Sequence, residues 1–410
     1  MRILVVTNLY PPQELGGYGR CMADFVWGLQ ERGHSLQVIC TDAPYLQVND
    51  FADSRVGPSG EPVARELRLK GSYEVGVQML QDPVACTAFD QFNASVLSRW
   101  LQRPWDGVLL GNLDLLGPEL FPALLEFGVP LLHHVGFMSL PFAPHQMPSA
   151  PHYFLLAASN AVRDSLVKGG LPVAHAPVVY PGARTELFAP SVGHLSPALS
   201  FSLAAAREGQ PLGSPANPLK VGFAGLLMGS KGVHTLVLAL LAMHKQGFCV
   251  QASLAGGAFQ AGYREQLEAL LVEAGMDGLV RFVGQLDRPR LARFWALHHV
   301  GVFTSIHPEA FGIVAAEVMS SGVALITTGV GGAAELIESG MSGLRFEPGN
   351  SQSLFQALQT LISNPSVLEK LAMTGQKRAA DYFSVRGSVV HLEQLFKGCA
   401  QPVRQSRMER

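Results

Sequence analysis

The run Val300-Gly-Val-Phe-Thr304-Ser305-Ile306-His307-Pro308-Glu309-Ala310-Phe311-Gly312-Ile313-Val314-Ala315-Ala316-Glu317 carries the reading of the whole chain. It opens on a continuous apolar segment, Val300–Thr304, which reads as a strand covered on both faces. A turn containing proline and glycine follows, and then an apolar helical run. Strand, turn and helix in succession form the unit of a parallel α/β sheet. Glu309 stands just ahead of the helix, where the positive end of the helix dipole favours a carboxylate. The amides of Phe311, Gly312 and Ile313 fall at the first turn, where N–H groups have no intrahelical acceptor and suit an anionic or hydroxyl-rich ligand. On these residues alone, Glu309 and Glu317 read equally as an N-terminal acidic residue followed by an ordinary exposed glutamate.

The same alternation extends in both directions. Towards the C-terminal half, Lys220–Ala224, Val250–Ala255, Val280–Val283 and Ala324–Thr327 read as strands, and Lys231–Gln246 and Tyr263–Ala274 as helices. Towards the N-terminus, Arg2–Thr7, Leu36–Cys40, Gly107–Leu110, Val129–His133 and Phe154–Ala158 read as strands. There Tyr18–Arg32 reads as a helix with Met22, Phe25, Val26 and Leu29 on one face. Ala189–Leu219 interrupts the pattern, being rich in Pro, Ser, Gly and Ala, although Leu199–Arg207 could form a short helix. The expected organisation is an α/β chain with a Rossmann-like domain over 1–188 and a linker or insertion over 189–218. A second Rossmann-like domain over 219–383 and a C-terminal helix and tail over 384–410 complete it. That helix is expected to pack back on the first domain, with Gln401–Arg410 fraying.

Composition limits the function classes. The chain has 410 residues, 48% hydrophobic, and Lys plus Arg number 30 against 32 Asp plus Glu, a formal charge of −2. That balance argues against a domain-wide basic surface for nucleic acid and leaves a local patch open. Five cysteines, Cys21, Cys40, Cys86, Cys249 and Cys399, have neither metal-ligand nor disulfide-framework spacing, which fits a reducing cytoplasm. No apolar run approaches the roughly 18 to 20 residues that span a bilayer. Peripheral contact with the inner face of a membrane stays open.

Three further segments carry chemistry. In Gly225-Leu226-Leu-Met-Gly-Ser-Lys231-Gly232, a strand ends in a glycine turn and Lys231 opens a helix, within reach of a phosphate; a snorkelling surface lysine reads equally well. In Pro11-Pro12-Gln-Glu-Leu-Gly16-Gly17-Tyr18-Gly19-Arg20, glycines between strand and helix let the backbone approach a phosphate, or simply make a tight turn. The pair His133-His134 ends a strand and reads as either functional or structural. A Gly-x-Gly-x-x-Gly fingerprint is absent, which disfavours a dehydrogenase.

Glu309 and Glu317 stand in a Glu-x7-Glu arrangement. With Gly331-Gly332, Glu335, Gly340, Gly343 and Phe346-Glu-Pro-Gly349, the segment resembles glycosyltransferase family 4, the group 1 type of retaining enzymes with GT-B architecture. The resemblance extends along nearly the whole chain and is most specific from about Leu219 to Phe383. It implies transfer of a sugar, a hexose by type, from a nucleoside-diphosphate sugar to an acceptor hydroxyl with retention of configuration. The acceptor would be a carbohydrate, a lipid-linked sugar or a small molecule, and no cofactor or metal is implied. Glu309 would hold donor-sugar hydroxyls, Glu317 the ribose, and the amides of Phe311, Gly312 and Ile313 the sugar and diphosphate. Lys231 would bind the diphosphate, Gly16 and Gly17 would line it, and His134 or its neighbour would stand near the transferred sugar. The family usually carries an arginine where this chain has Leu226; Arg20, Arg184 or His307 could supply that charge. Two other readings remain, a nucleotide-sugar epimerase and a binding protein on a decayed transferase fold.

Overall fold

The structure, a computed structural model, describes residues 1–13, 17–43, 55–74, 77–188 and 193–408. The chain divides into two compact units: Met1–Pro181 together with Val385–Arg410, and Gly182–Ser384.

The first unit runs β1 (Arg2–Val6), α1 (Tyr18–Glu31), β2 (Ser35–Thr41), β3 (Val63–Leu67), the short strands β4 (Gly71–Ser72) and β5 (Gln78–Met79), α2 (Pro83–Leu101), β6 (Gly107–Leu110), α3 (Phe121–Glu126), β7 (Leu131–Val135), β8 (Tyr153–Ala157) and α4 (Asn160–Lys168). Six strands form one parallel sheet in the order β3-β2-β1-β6-β7-β8, and β4 pairs antiparallel with β5 alone. Strands β1, β6 and β7 are buried along nearly their whole length, which is why they read as unbroken apolar runs. Met22, Phe25, Val26 and Leu29 of α1 all face the core.

The second unit runs α5 (Thr185–Phe188), α6 (Pro197–Arg207), β9 (Leu219–Ala224), α7 (Val233–Lys245), β10 (Val250–Ala255), α8 (Tyr263–Glu273), β11 (Val280–Gly284), α9 (Arg288–Ala296), β12 (Val300–Phe303), α10 (Ile313–Ser320), β13 (Ala324–Thr327), β14 (Leu344–Arg345), α11 (Ser351–Ser363) and α12 (Pro365–Tyr382). Its sheet, also wholly parallel, has the order β11-β10-β9-β12-β13-β14. A final helix, α13 (Val385–Met408), groups with the first unit.

Several boundaries differ from the expected ones. Residues 193–218 are not a linker: α6 belongs to the second unit, where Leu199, Leu203 and Leu212 join Leu219 and Leu361 in one core. The apolar period of α6 is obscured because buried Leu199 and Leu203 alternate with Phe201, which is 76% exposed, and with a buried Ser202. The helical run from Pro365 breaks at Phe383–Ser384 into α12 and α13. Helix α13 meets the first unit at places only glycine allows. A Cβ on Gly28 would lie 2.6 Å from Val389, and one on Gly107 2.7 Å from the Phe396 ring. Glu393 of α13 is drawn down to about 2 by hydrogen bonds from Lys397 and Arg32, despite its partial desolvation. No helix among the described residues is long and apolar enough to cross a membrane.

Candidate functional site

Each sheet reverses its direction of growth once, between β1 and β6 in the first unit and between β9 and β12 in the second. At such a switch point the chain leaves neighbouring strands in opposite directions, and ligands of open α/β sheets bind outside the carboxyl ends there.

In the second unit the two diverging loops carry the residues singled out from the sequence. After β9 the chain enters a short 3-10 turn, Gly229–Lys231, and the helix begins only at Val233. Lys231 therefore precedes the helix rather than opening it. Gly232 makes the corner with φ +67°, and a Cβ there would sit 2.2 Å from the Thr304 carbonyl oxygen. The loops are tied by Ile306 N–H to Ser230 O at 2.9 Å and by Thr304 Oγ1 donating to Lys231 O at 2.6 Å. Across this tie the Lys231 ammonium donates to Glu309 Oε1. Ser305 Oγ donates to the same oxygen at 2.5 Å. The two charged side chains remain 29% and 23% exposed, so the pair is reachable from solvent.

A third loop supports Glu309 from below. Gly332 N–H donates to Glu309 O at 2.7 Å, and Glu309 N–H to Val330 O at 3.3 Å. A Cβ on Gly331 would lie 2.4 Å from Glu309 O, so the Gly331-Gly332 pair is a backbone cradle for the glutamate. Thr328 Oγ1 donates to Ser305 O at 2.7 Å. Ser305, Thr304 and Thr328 were missed as site residues. Small hydroxyl residues at strand ends are the only signal in the sequence, and that signal is common.

Gly312 caps α10 in the left-handed region at φ +99°. The amides of Gly312 and Ile313 have no backbone acceptor among the described residues and stand at the positive end of the helix. Phe311 is buried, its ring 5.8 Å from that of Phe383. Glu317 on α10 is 1% exposed, which rules out the ordinary exposed glutamate. Leu226 is half-buried, and Lys231 is the sole cation between Gly225 and Gly232. Of the residues considered in its place, Arg184 pairs with Glu186 at 3.3 Å, His307 is exposed, and Arg20 lies on α1 of the first unit.

The first unit presents its histidines differently. His134 is wholly buried; its Nε2 lies 2.8 Å from the Val179 carbonyl, which places the proton there, and its Nδ1 lies 3.1 Å from the Tyr18 hydroxyl. Burial pulls its pKa down to about 4. The Tyr18 hydroxyl donates to the His134 carbonyl oxygen at 2.5 Å, and the ring of His134, expected near the transferred sugar, is enclosed. His133, also buried, holds the Tyr153 hydroxyl at 2.9 Å, and burial takes its pKa to about 3. Gly17 is the N-cap of α1; Gly16 lies outside the described residues.

Residues 218–364 match the family model described as glycosyl transferases group 1. Over 407 residues, 93% of this chain and 91% of the relative, it is 24% identical to glycogen synthase of Mycobacterium tuberculosis. It is 28% identical to D-inositol 3-phosphate glycosyltransferase of Thermomonospora curvata, with 83% and 85% covered. Among solved structures it resembles Anabaena Alr3699/HepE in complex with UDP, with a TM-score of 0.72, 21% identity and coverage of 97% and 100%. Sucrose-phosphate synthase from Thermosynechococcus elongatus gives 0.72 at 19% identity, with 97% and 98% covered. With two parallel Rossmann-like sheets of matching order, these likenesses assign the GT-B architecture.

Proposed function

We propose that this protein is a retaining, metal-independent glycosyltransferase that moves a sugar from a nucleoside-diphosphate donor to an acceptor hydroxyl. The observation that carries the proposal is the convergence of Lys231, Glu309 and the α10 N-terminus at the switch point of the second sheet. An ammonium and oriented amides stabilise charge that develops on a departing diphosphate. An ionised carboxylate only accepts hydrogen bonds, and sugar hydroxyls can donate them. Glu309 would hold the transferred sugar, Lys231 with the Gly312 and Ile313 amides the diphosphate, and Glu317 the ribose. With no dedicated nucleophile assigned, attack on the same face assisted by the leaving phosphate accounts for retention. UDP in the Anabaena structure and the names of the relatives support a nucleotide sugar as donor. They differ in acceptor, so the acceptor is proposed only as a hydroxyl compound.

The test is transfer from a panel of UDP-, ADP- and GDP-sugars to glycan and polyol acceptors, with and without excess chelator. The product's anomeric configuration is read by proton NMR. Chelator-resistant transfer with retention is expected. Inversion, or activity that depends on added magnesium or manganese, would correct those parts of the reading. Epimer formed without acceptor would replace transfer by epimerisation.

A further inference from the structure

We infer that Lys231, Glu309 and Ser305 form an exchange device by which the site distinguishes an intact nucleotide sugar from the free nucleoside diphosphate. The inference rests on the donor reading above and adds Ser305 as a positioning residue that governs specificity.

The two groups assigned to different parts of the donor are bonded to each other. Lys231 donates to Glu309 Oε1, and that oxygen also accepts from Ser305 Oγ at 2.5 Å. The other two N–H groups of Lys231 can reach a diphosphate, and sharing the charge between two anions weakens this bond. A free nucleoside diphosphate takes the ammonium and returns nothing to Glu309, whose carboxylate then faces an anion without its cation. Both the lost pair and the like-charge approach oppose binding. An intact nucleotide sugar makes the same demand but brings hydroxyls that donate to the oxygen Lys231 releases. The sugar therefore lowers the cost of freeing the lysine, and cleavage of the sugar–phosphate bond removes that compensation from the product.

Leu226 sharpens the effect, because the turn from Gly225 to Gly232 holds no second cation to take over the phosphate. Ser305 sets the exchange point. Its backbone is fixed by the Thr328 hydroxyl at 2.7 Å, and its own hydroxyl keeps Glu309 Oε1 aimed at the lysine when the site is empty. The pair is partly exposed, which makes it weak enough to be exchanged by a ligand rather than locked.

The experiment is isothermal titration calorimetry with inorganic pyrophosphate and with UDP, ADP and GDP. It uses the full chain as wild type, Lys231→Ala, Glu309→Gln, the double variant and Ser305→Ala, with thermal melts confirming the fold of each. Glu309→Gln should bind pyrophosphate and the accepted nucleoside diphosphate about threefold more tightly, the scale of a partly exposed ion pair released. Lys231→Ala should bind both at least roughly tenfold more weakly. In the Lys231→Ala background, Glu309→Gln should tighten binding by less than it does in the wild type, because the partner it would release is gone and only the like-charge approach is relieved. Ser305→Ala should tighten diphosphate binding by about twofold and lower kcat, with Ser305→Thr restoring both.

Equal tightening by Glu309→Gln with and without Lys231 would reduce the effect to general charge removal and overturn the exchange. Absence of tightening in a folded Glu309→Gln would overturn it too, leaving the donor reading intact. If Lys231→Ala bound pyrophosphate as well as wild type, or wild type bound none of the probes, the donor reading itself would fall.

Discussion

The two units share one strand order and one switch point, yet their switch-point loops have opposite chemistry. In the second unit the loops after β9 and β12 bring an ammonium and a carboxylate together at partial exposure. In the first unit the described part of the corresponding region turns its charge onto its own loop: Arg65 donates to the Pro11 carbonyl at 2.5 Å and to Gln13 Oε1 at 2.8 Å. Asn8 Nδ2 donates to the Tyr73 hydroxyl at 2.9 Å, which donates to Asp114 at 2.5 Å, and desolvation pushes the Asp114 carboxyl above its usual range. Beside it, Leu115 adopts φ +61°, a conformation that costs a side-chain-bearing residue of order 1 kcal/mol. Sheet topology thus specifies where a site can form, and the loop residues decide whether charge is presented or enclosed.

The largest expected effect tests what the units have in common. Both bury neutral histidines, His133 at about 3 and His134 at about 4 in the first, His298 at about 4 and His299 at about 3 in the second, each pulled down chiefly by burial. A folded value below the unfolded one means that the unfolded chain takes up protons first as pH falls. The stabilisation is therefore complete above about pH 6.5 and is lost progressively towards pH 4 to 3, by up to ~1.4 kcal/mol per histidine per pH unit. Thermal melts from pH 7 to pH 5 should show melting temperatures falling in both units. A flat profile would mean that these rings are solvated or charged in the folded protein, and the contrast between enclosed and presented groups would lose its first half.

Lys231→Ala comes next and tests the difference. Loss of a preorganised charge at the leaving diphosphate should lower turnover by roughly 10²- to 10³-fold. Stability should scarcely change, since a partly exposed ion pair contributes ~0.2 to 1 kcal/mol. A fall in turnover of less than about threefold with an intact fold would move the reacting centre away from this switch point.

Glu317→Gln sharpens the comparison within the second unit, because Glu317 is buried where Glu309 is presented. If its carboxylate serves the ribose, calorimetry should show nucleoside-diphosphate binding weakened by about 1 to 3 kcal/mol. Pyrophosphate, which has no ribose, should bind unchanged. A lower melting temperature with unaltered affinity for both ligands would instead make Glu317 part of the helix packing.

Much of the frame was readable from residue patterns. The strands at Gly107–Leu110, Val250–Ala255 and Ala324–Thr327 are continuous apolar runs, and burial on both faces of a parallel sheet leaves that mark. The segment that holds β3 and α2 gave no such signal. Helix α2 is buried chiefly near its C-terminal end, at Asn93, Val96, Leu97 and Leu101, so its apolar residues have little helical period.

What the chain alone determined is local: the alternation of strands and helices, the helix start behind Gly312, and the residue types suited to phosphate and sugar. These depend on neighbours a few positions apart, where backbone sterics and burial act directly on composition. The tertiary structure decided the rest. It turned the stretch before β9 into part of a core, enclosed His134 between Tyr18 and Val179, and set the Gly331 backbone against Glu309. It also joined Lys231 to Glu309 across 78 positions of sequence. Pairings of that span depend on which loops a sheet brings to one edge, and residue spacing carries no record of the distance between them.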